Sequence, residues 1–271
     1  MTIYDGYTSW KANKYPAVLA IGDSWFWYPK NNLLESLARH PKLKDGYQHM
    51  VRLGENGARL SEYVDGPLSG SLNDLLKRDP MQYFNVFAVS GAGNDTVKYE
   101  LALNADCSGD TTAEACISDA GLDALIGDLA LDMRLLLAKV MSAFDLHLRQ
   151  PIVLVHGYDY PVPDGRGFSL AGLVNQGPWL APAMNAHNVP ADPVLRKRIM
   201  HILIERLNVE FARFANPANG VHFIDSRDTL DSGPGYPADW DNELHPTRSG
   251  FDKIVDRKWI PVLEGLGIAR D

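Results

Sequence analysis

Ala17-Val-Leu-Ala-Ile21 runs straight into Gly22-Asp23-Ser24, a short apolar stretch closed by a tight polar turn. An apolar run without alternation suits a strand buried on both faces, the condition of a parallel sheet covered by helices. The pattern recurs. Asn85-Val-Phe-Ala-Val89 leads into Ser90-Gly-Ala-Gly-Asn-Asp95, Pro151-Ile-Val-Leu-Val155 into His156-Gly157, and Val221-His-Phe-Ile224 into Asp225. His49-Met-Val-Arg-Leu53 is a weaker fifth strand candidate. Between them the apolar spacing turns helical: Leu122 to Leu148 and Pro193 to Phe214 repeat near 3.6 residues, with shorter helices expected over 31–40, 72–77 and 250–266. Strands alternating with helices make right-handed βαβ units. The expectation is one α/β domain of flavodoxin-like plan, three-layer α/β/α around a central parallel sheet, without internal repeats.

The 271 residues fit one such domain spanning 1–271. Two stretches read as insertions, about 105–120 and 157–190. The second is rich in Gly, Pro and aromatics and follows a strand end, where such sheets form their ligand crevice, so it reads as a lid. Lys and Arg number 26 against 34 Asp and Glu, a formal charge of −8, which argues against nucleic acid as a partner. No apolar stretch approaches the roughly 20 residues of a membrane span, so no integral membrane association is expected. The first residues lack the basic start and apolar core of a secretory signal, which makes a cytoplasmic location the expectation. Cys107 and Cys116 read as free thiols on a loop, with a local disulfide as the alternative. No paired Cys or His stands at metal-ligand spacing, and no metal or other cofactor is expected.

The turns after the strands put Ser24, Asn94 and His156 on one rim of the sheet. Ser24 alone would pass for a helix N-cap, and His245, before Pro246, for a packed or surface histidine. Serine chemistry needs a base within hydrogen-bond reach, a group to orient that base, and donors aimed at the developing oxyanion. The ends of the predicted elements offer candidates for every part.

Four ordered segments carry a family resemblance. Ala20-Ile-Gly-Asp-Ser-Trp25 resembles the nucleophile block of GDSL/SGNH hydrolases, Glu55-Asn-Gly-Ala-Arg-Leu60 the second block, Gly91-Ala-Gly-Asn-Asp95 the third, and Asn242-Glu-Leu-His245 the closing one. The resemblance implies Ser24 as nucleophile and His245 as base, with the Ser24 and Gly57 N–H groups and the Asn94 side chain as oxyanion donors. It also implies an ester substrate, of a lipid, carbohydrate or other small molecule, cleaved through an acyl-enzyme. Acyl transfer to a sugar hydroxyl, or a weakly catalytic glycan- or partner-binding module, remain the alternatives.

The sequence departs from the family at two points. Asn242 stands where the family has its triad aspartate, so either this amide orients His245 or one of two neighbouring acids, Asp241 and Asp225, does so. Ala92 stands where the family often has glycine, with Gly91 and Gly93 left to supply backbone freedom. Trp25, His156 and Tyr158 are candidates to line the substrate site. Activity is expected to fall as His245 protonates, near the ordinary value of about 6.5.

Overall fold

The computed structural model describes residues 2–6, 16–77, 83–146, 150–170 and 174–271. Five strands form where the apolar runs demand them: β2 (Val18–Gly22), β3 (His49–Gly54), β4 (Val86–Ser90), β5 (Ile152–His156) and β8 (Val221–Ile224). β1 (Thr2–Asp5) adds an edge strand that the sequence reading did not anticipate, since three half-buried residues and an exposed one carry no clear pattern. All pairings in this sheet are parallel, in the order β1-β3-β2-β4-β5-β8. Without the edge strand this is the flavodoxin-like order, whose chain direction switches between β2 and β4. The switch matters because the loops leaving those two strands diverge and leave a crevice at their C-terminal ends.

Helices cover both faces. α2 (Leu33–Arg39) packs with α9 (Arg248–Ile254), while α6 (Asp119–Leu146) packs with α3 (Leu60–Val64), α4 (Ser69–Lys77) and α8 (Pro193–Ala212). Their starts are fixed by side-chain caps: Asn32 Oδ1 accepts from Glu35 N, Asp192 Oδ1 from Val194 N and Thr247 Oγ1 from Gly250 N. The final helix, expected as one piece, is interrupted by a π turn at Val255–Trp259 before α10 (Ile260–Gly265). Pro261 explains the interruption, because it has no N–H to give and its ring crowds the preceding turn. The end of the helix expected to reach Leu148 lies outside the described residues.

The two insertions are not bare loops. The first contains α5 (Ala113–Cys116) and a bridge between Leu103 and Ile117. Cys107 and Cys116 are free thiols, buried rather than displayed on a loop, and with Asp110 their potential ligand atoms lie within 4.8 Å of one another. Burial pushes the Cys116 thiol up to about 12. The second insertion folds into an antiparallel hairpin, β6 (Phe168–Leu170) with β7 (Val174–Gln176), followed by α7 (Leu180–Ala186). Among the described residues no helix is long and apolar enough to cross a membrane.

Candidate active site

β2 ends at Gly22 and the chain turns at once into α1 (Ser24–Trp27). The N-cap of that helix is Asp23, which accepts from Trp25 N at 3.0 Å, so Ser24 is not the cap and its side chain is left free for other work. The buried Asp23 carboxylate also accepts from Tyr158 Oη (2.6 Å), Gly93 N (3.1 Å) and Ser90 Oγ (3.2 Å). One side chain thereby ties the loops after β2, β4 and β5 together. A Cβ at Gly93 would meet Asp23 Oδ2 at 2.6 Å, which is why that turn holds glycine. Burial pushes the Asp23 pKa up to about 6, against the pull of the bonds from Tyr158, Trp25, Ser90 and Gly93.

His245 lies just before α9, in the loop held by Thr247. Its Nε2 is 2.7 Å from Ser24 Oγ and its Nδ1 is 3.0 Å from Asn242 Oδ1. The same amide oxygen accepts from the N–H groups of Leu244 and His245, at 3.0 Å each, so the amide orientation is fixed by the backbone. The Tyr28 ring lies flat against the imidazole, centroids 4.2 Å apart and 6° from parallel, and Trp179 meets it edge-on. Ser24 and His245 are 7% and 5% exposed, which leaves a narrow approach and little water. Burial pushes the His245 pKa down to about 3; Asp241 opposes this and Lys30 adds to it. The expected titration near 6.5 is therefore moved down, because burial penalises the charged imidazolium.

Gly57 and Asn94 flank Ser24 from the other side. Gly57 has φ +89°, a left-handed conformation that glycine adopts without strain. Among the described residues, neither its N–H nor that of Ser24 has a hydrogen-bond partner. Asn94 Nδ2 donates to Ala58 O at 3.1 Å, which fixes the amide plane and commits one of its two N–H bonds. Its side chain does not cap the 3-10 turn of residues 95–102 that it precedes. At Ala92 the sequence reading is corrected. Ala92 itself takes φ +97°, and the strain is held in place by complete burial.

Ser24 stands between two cavities. One, of about 450 Å³, opens past His245 and Gly57 and is walled by Tyr28, Phe168 and Trp179, with the amides of Asn56 and Gln176. The other holds only about 20 Å³, room for one water-sized group, and lies against Trp25, Tyr158, Ile204 and Trp240. His245 borders the large cavity only, while Ser24 and Asn94 border both.

No protein-family model matches the sequence, and no curated protein matches it. Among solved structures the chain is similar to the lipase Lip_vut3 from a goat rumen metagenome, at TM-score 0.54 and 12% identity over 88% of this chain and 93% of that one. It is similar also to a Streptococcus pneumonia protein named for platelet activating factor, at TM-score 0.52 and 15% identity over 90% and 83% of the two chains. The fold is that of the GDSL/SGNH hydrolases.

Within this SGNH fold, the structure brings Ser24, His245, Asn242, Gly57 and Asn94 to one place. Asp225 is elsewhere employed: its carboxylate binds Arg227, which also pairs with Glu205. The Asp241 carboxylate likewise makes no bond to the His245 ring and goes to Lys30 and Tyr28, while its backbone N–H donates to His245 O at 2.9 Å. His156 does not line either cavity. It is fully buried between Trp25 and Trp259, and accepts from Trp259 Nε1 at 3.3 Å, so its place as the last residue of β5 is a packing position. Trp25 and Tyr158 do line the small cavity, with Trp25 Nε1 donating to Leu244 O at 3.1 Å. Trp27 faces away, its ring under Arg52. The sequence reading missed Trp179, Phe168, Ile204 and Trp240, which reach the site from the second insertion, α8 and the loop before His245. Only the aromatic richness of that insertion signalled any of them.

Proposed function

We propose that this chain is a serine ester hydrolase that works through an acyl-enzyme on Ser24. One observation carries the reading: Ser24 Oγ, His245 Nε2, His245 Nδ1 and Asn242 Oδ1 follow one another at 2.7 and 3.0 Å beside an open cleft. With Nδ1 donating to the amide oxygen, Nε2 is the bare nitrogen, and it takes the Ser24 proton as Oγ attacks the ester carbonyl. The N–H groups of Ser24 and Gly57 and the Asn94 amide receive the oxyanion. Collapse breaks the bond to the alcohol, which leaves with the proton from His245. Water, deprotonated by the same imidazole, then attacks the acyl-enzyme, releases the acid and restores Ser24.

The two cavities support a reading of the two halves of the substrate. His245 must protonate the leaving oxygen, so the alcohol occupies the large cleft that His245 borders. The acyl chain then points into the small cavity, which has room for a methyl group. The substrate is accordingly an acetyl or similarly short acyl ester of a larger alcohol. Aromatic walls with Asn56 and Gln176 amides suit a carbohydrate alcohol, and a second sugar hydroxyl in place of water would make the same site an acyltransferase. The lipase that shares the fold is consistent with an ester bond as the target. The insertion at 157–190 serves as the lid that walls this cleft within a single domain of residues 1–271.

The test is intact mass of wild type and Ser24→Ala after a fluorophosphonate, together with hydrolysis of 4-nitrophenyl acetate. One adduct on wild type, none on the variant, and loss of turnover in the variant are expected. A folded wild type that takes no adduct, or a Ser24→Ala protein that still cleaves the ester, would overturn the assignment and favour a binding module.

A further inference from the structure

The hydrogen bonds behind His245 do not end at Asn242. While Asn242 Oδ1 faces the imidazole, its Nδ2 donates to Tyr28 Oη at 3.0 Å. The phenol donates in turn to Asp241 Oδ2, and Lys30 Nζ grips both oxygens of that carboxylate at 3.0 and 2.8 Å. Asn242 is wholly buried and Tyr28 nearly so, whereas Asp241 and Lys30 reach the surface. Burial, and next the bond to Asp241, hold the Tyr28 phenol protonated far above its ordinary range.

The direction of each bond follows from what its members can do. An ionised carboxylate only accepts, so the phenol proton points at Asp241 and the phenol oxygen is left as an acceptor. An amide has a donor end and an acceptor end. The Leu244 and His245 N–H groups hold its oxygen toward His245, the bond from its NH₂ to Tyr28 reinforces that orientation from the other end, and Nδ1 must carry the proton. A reversed amide would face Nδ1 with NH₂, move the imidazole proton to Nε2, and present a donor to Ser24 in place of a base. A carboxylate at this position has no wrong end; an amide does. The flat contact of Tyr28 on the imidazole adds a second restraint, against rotation of the ring.

We infer that Tyr28 and Asp241 are positioning residues for His245, through which a carboxylate displaced by one residue along the chain acts on the base by way of a phenol and an amide. The inference rests on the reading of Ser24 and His245 as nucleophile and base. No proton travels along the chain of bonds. When His245 takes the Ser24 proton, the imidazolium meets an amide oxygen polarised by the aligned phenol and by the Asp241 charge. Lys30 balances that charge from the solvent side, and the Glu243 carboxylate is turned away toward α7.

A double-mutant cycle between Tyr28→Phe and Asn242→Asp tests this, read as kcat and KM for 4-nitrophenyl acetate. Phenylalanine keeps the ring contact and removes only the bonds. With Asn242 present, Tyr28→Phe should lower kcat about 10- to 100-fold, the kinetic worth of one buried hydrogen bond, with KM changed less than about threefold. In the Asn242→Asp background the same change should cost less than about threefold, because the carboxylate needs no partner to set its orientation. Asp241→Asn, at a partly exposed position that should not endanger folding, should lower kcat by about tenfold with Asn242 present, by the same reasoning. Equal losses in both backgrounds would make Tyr28 a packing residue and overturn the inference. Turnover retained by Ser24→Ala would overturn the underlying reading as well, whereas a dead Ser24→Ala with additive losses overturns the positioning role alone.

Discussion

Replacing Asn242 by aspartate puts a full negative charge where the chain now has an amide oxygen, 3.0 Å from His245 Nδ1. With charge centres roughly 4 Å apart and an effective dielectric near 20, the attraction on the imidazolium is about 4 kcal/mol. At about 1.4 kcal/mol per unit, that raises the His245 pKa by roughly three units. Starting from about 3, the variant imidazole should titrate near pH 6. The sign follows from the mechanism. Protonated His245 cannot accept the Ser24 proton, so each protein loses activity as pH falls through its own His245 value. Wild type should therefore keep its histidine in the working form well below pH 5, while Asn242→Asp should fall to about half its plateau near pH 6. The plateau itself should rise, with the roughly 10⁴-fold effect of the reverse exchange in a serine triad as an upper bound.

The assay is kcat/KM for 4-nitrophenyl acetate from pH 4 to 8, followed by acetate release. Asp23 and Asp95, which burial pushes up to about 6 and about 7, titrate in the same window in both proteins. The ratio of variant to wild type cancels their contribution and isolates His245. That ratio should fall steeply below pH 6. A ratio independent of pH between 4 and 7 would refute the idea that a neutral partner and burial together hold His245 down. So would a wild-type ratio-determining limb near 6.5, assigned to His245 by its histidine resonance.

Three further outcomes follow from the geometry. With a common leaving group, kcat/KM should drop at least about tenfold from acetate to butyrate, since extra methylenes overfill a tight site at about 1–3 kcal/mol, and Ile204→Ala should restore butyrate selectively; equal rates across chain lengths would refute the acyl assignment of the small cavity. Gly57→Ala meets no atom within 4 Å yet must hold φ near +89°, so it should cost about 1–2 kcal/mol of strain, measured by denaturant melting, and lower kcat by displacing an oxyanion donor. Glu243→Gln should lower the melting temperature and speed proteolytic cleavage between residues 160 and 180, because a fully buried carboxylate that accepts from Gly165, Trp179, Leu180 and Ala181 N–H groups would lose acceptor capacity; unchanged proteolysis would show that the lid is held elsewhere.

The parallel core was legible because its strands are apolar without alternation and each ends in a turn rich in small polar residues. β1 was not, since its few residues pair along one edge and bury little. Ser24 and Asn94 were legible because they lie in the turns that follow β2 and β4, and His245, just before α9, because the closing block of the family resemblance falls on it. What sequence spacing hides is side-chain direction. His156 closes β5 at the same rim as Ser24, yet its ring turns inward beneath Trp25. Asn242 was named as the partner of His245, but the link from it through Tyr28 to Asp241 was hidden for another reason. Asp241 and Tyr28 are far apart in sequence and meet only because α1 and the loop before α9 converge beneath the crevice.

That loop makes the active site and its cover a single unit. Five consecutive residues each hold a different part: Asp241 takes Lys30 and Tyr28, Asn242 orients His245, and Glu243 binds the first N–H groups of α7. Leu244 accepts from the Trp25 indole, and His245 meets Ser24. A negative side chain at the start of a helix is favoured by its unpaired N–H groups, and here that helix belongs to the lid. The lid residue Trp179 donates its N–H to Glu243 and sets its ring edge-on to His245, so the segment that covers the cleft also confines the base. Movement of α7 away from Glu243 would therefore loosen the imidazole as well as open the cleft. On the proposed reading of His245 as base, that base is fully confined only while the cover is in place, and the expected outcome is faster reaction with an ester whose alcohol is large enough to bind beneath the lid than with small esters that are not.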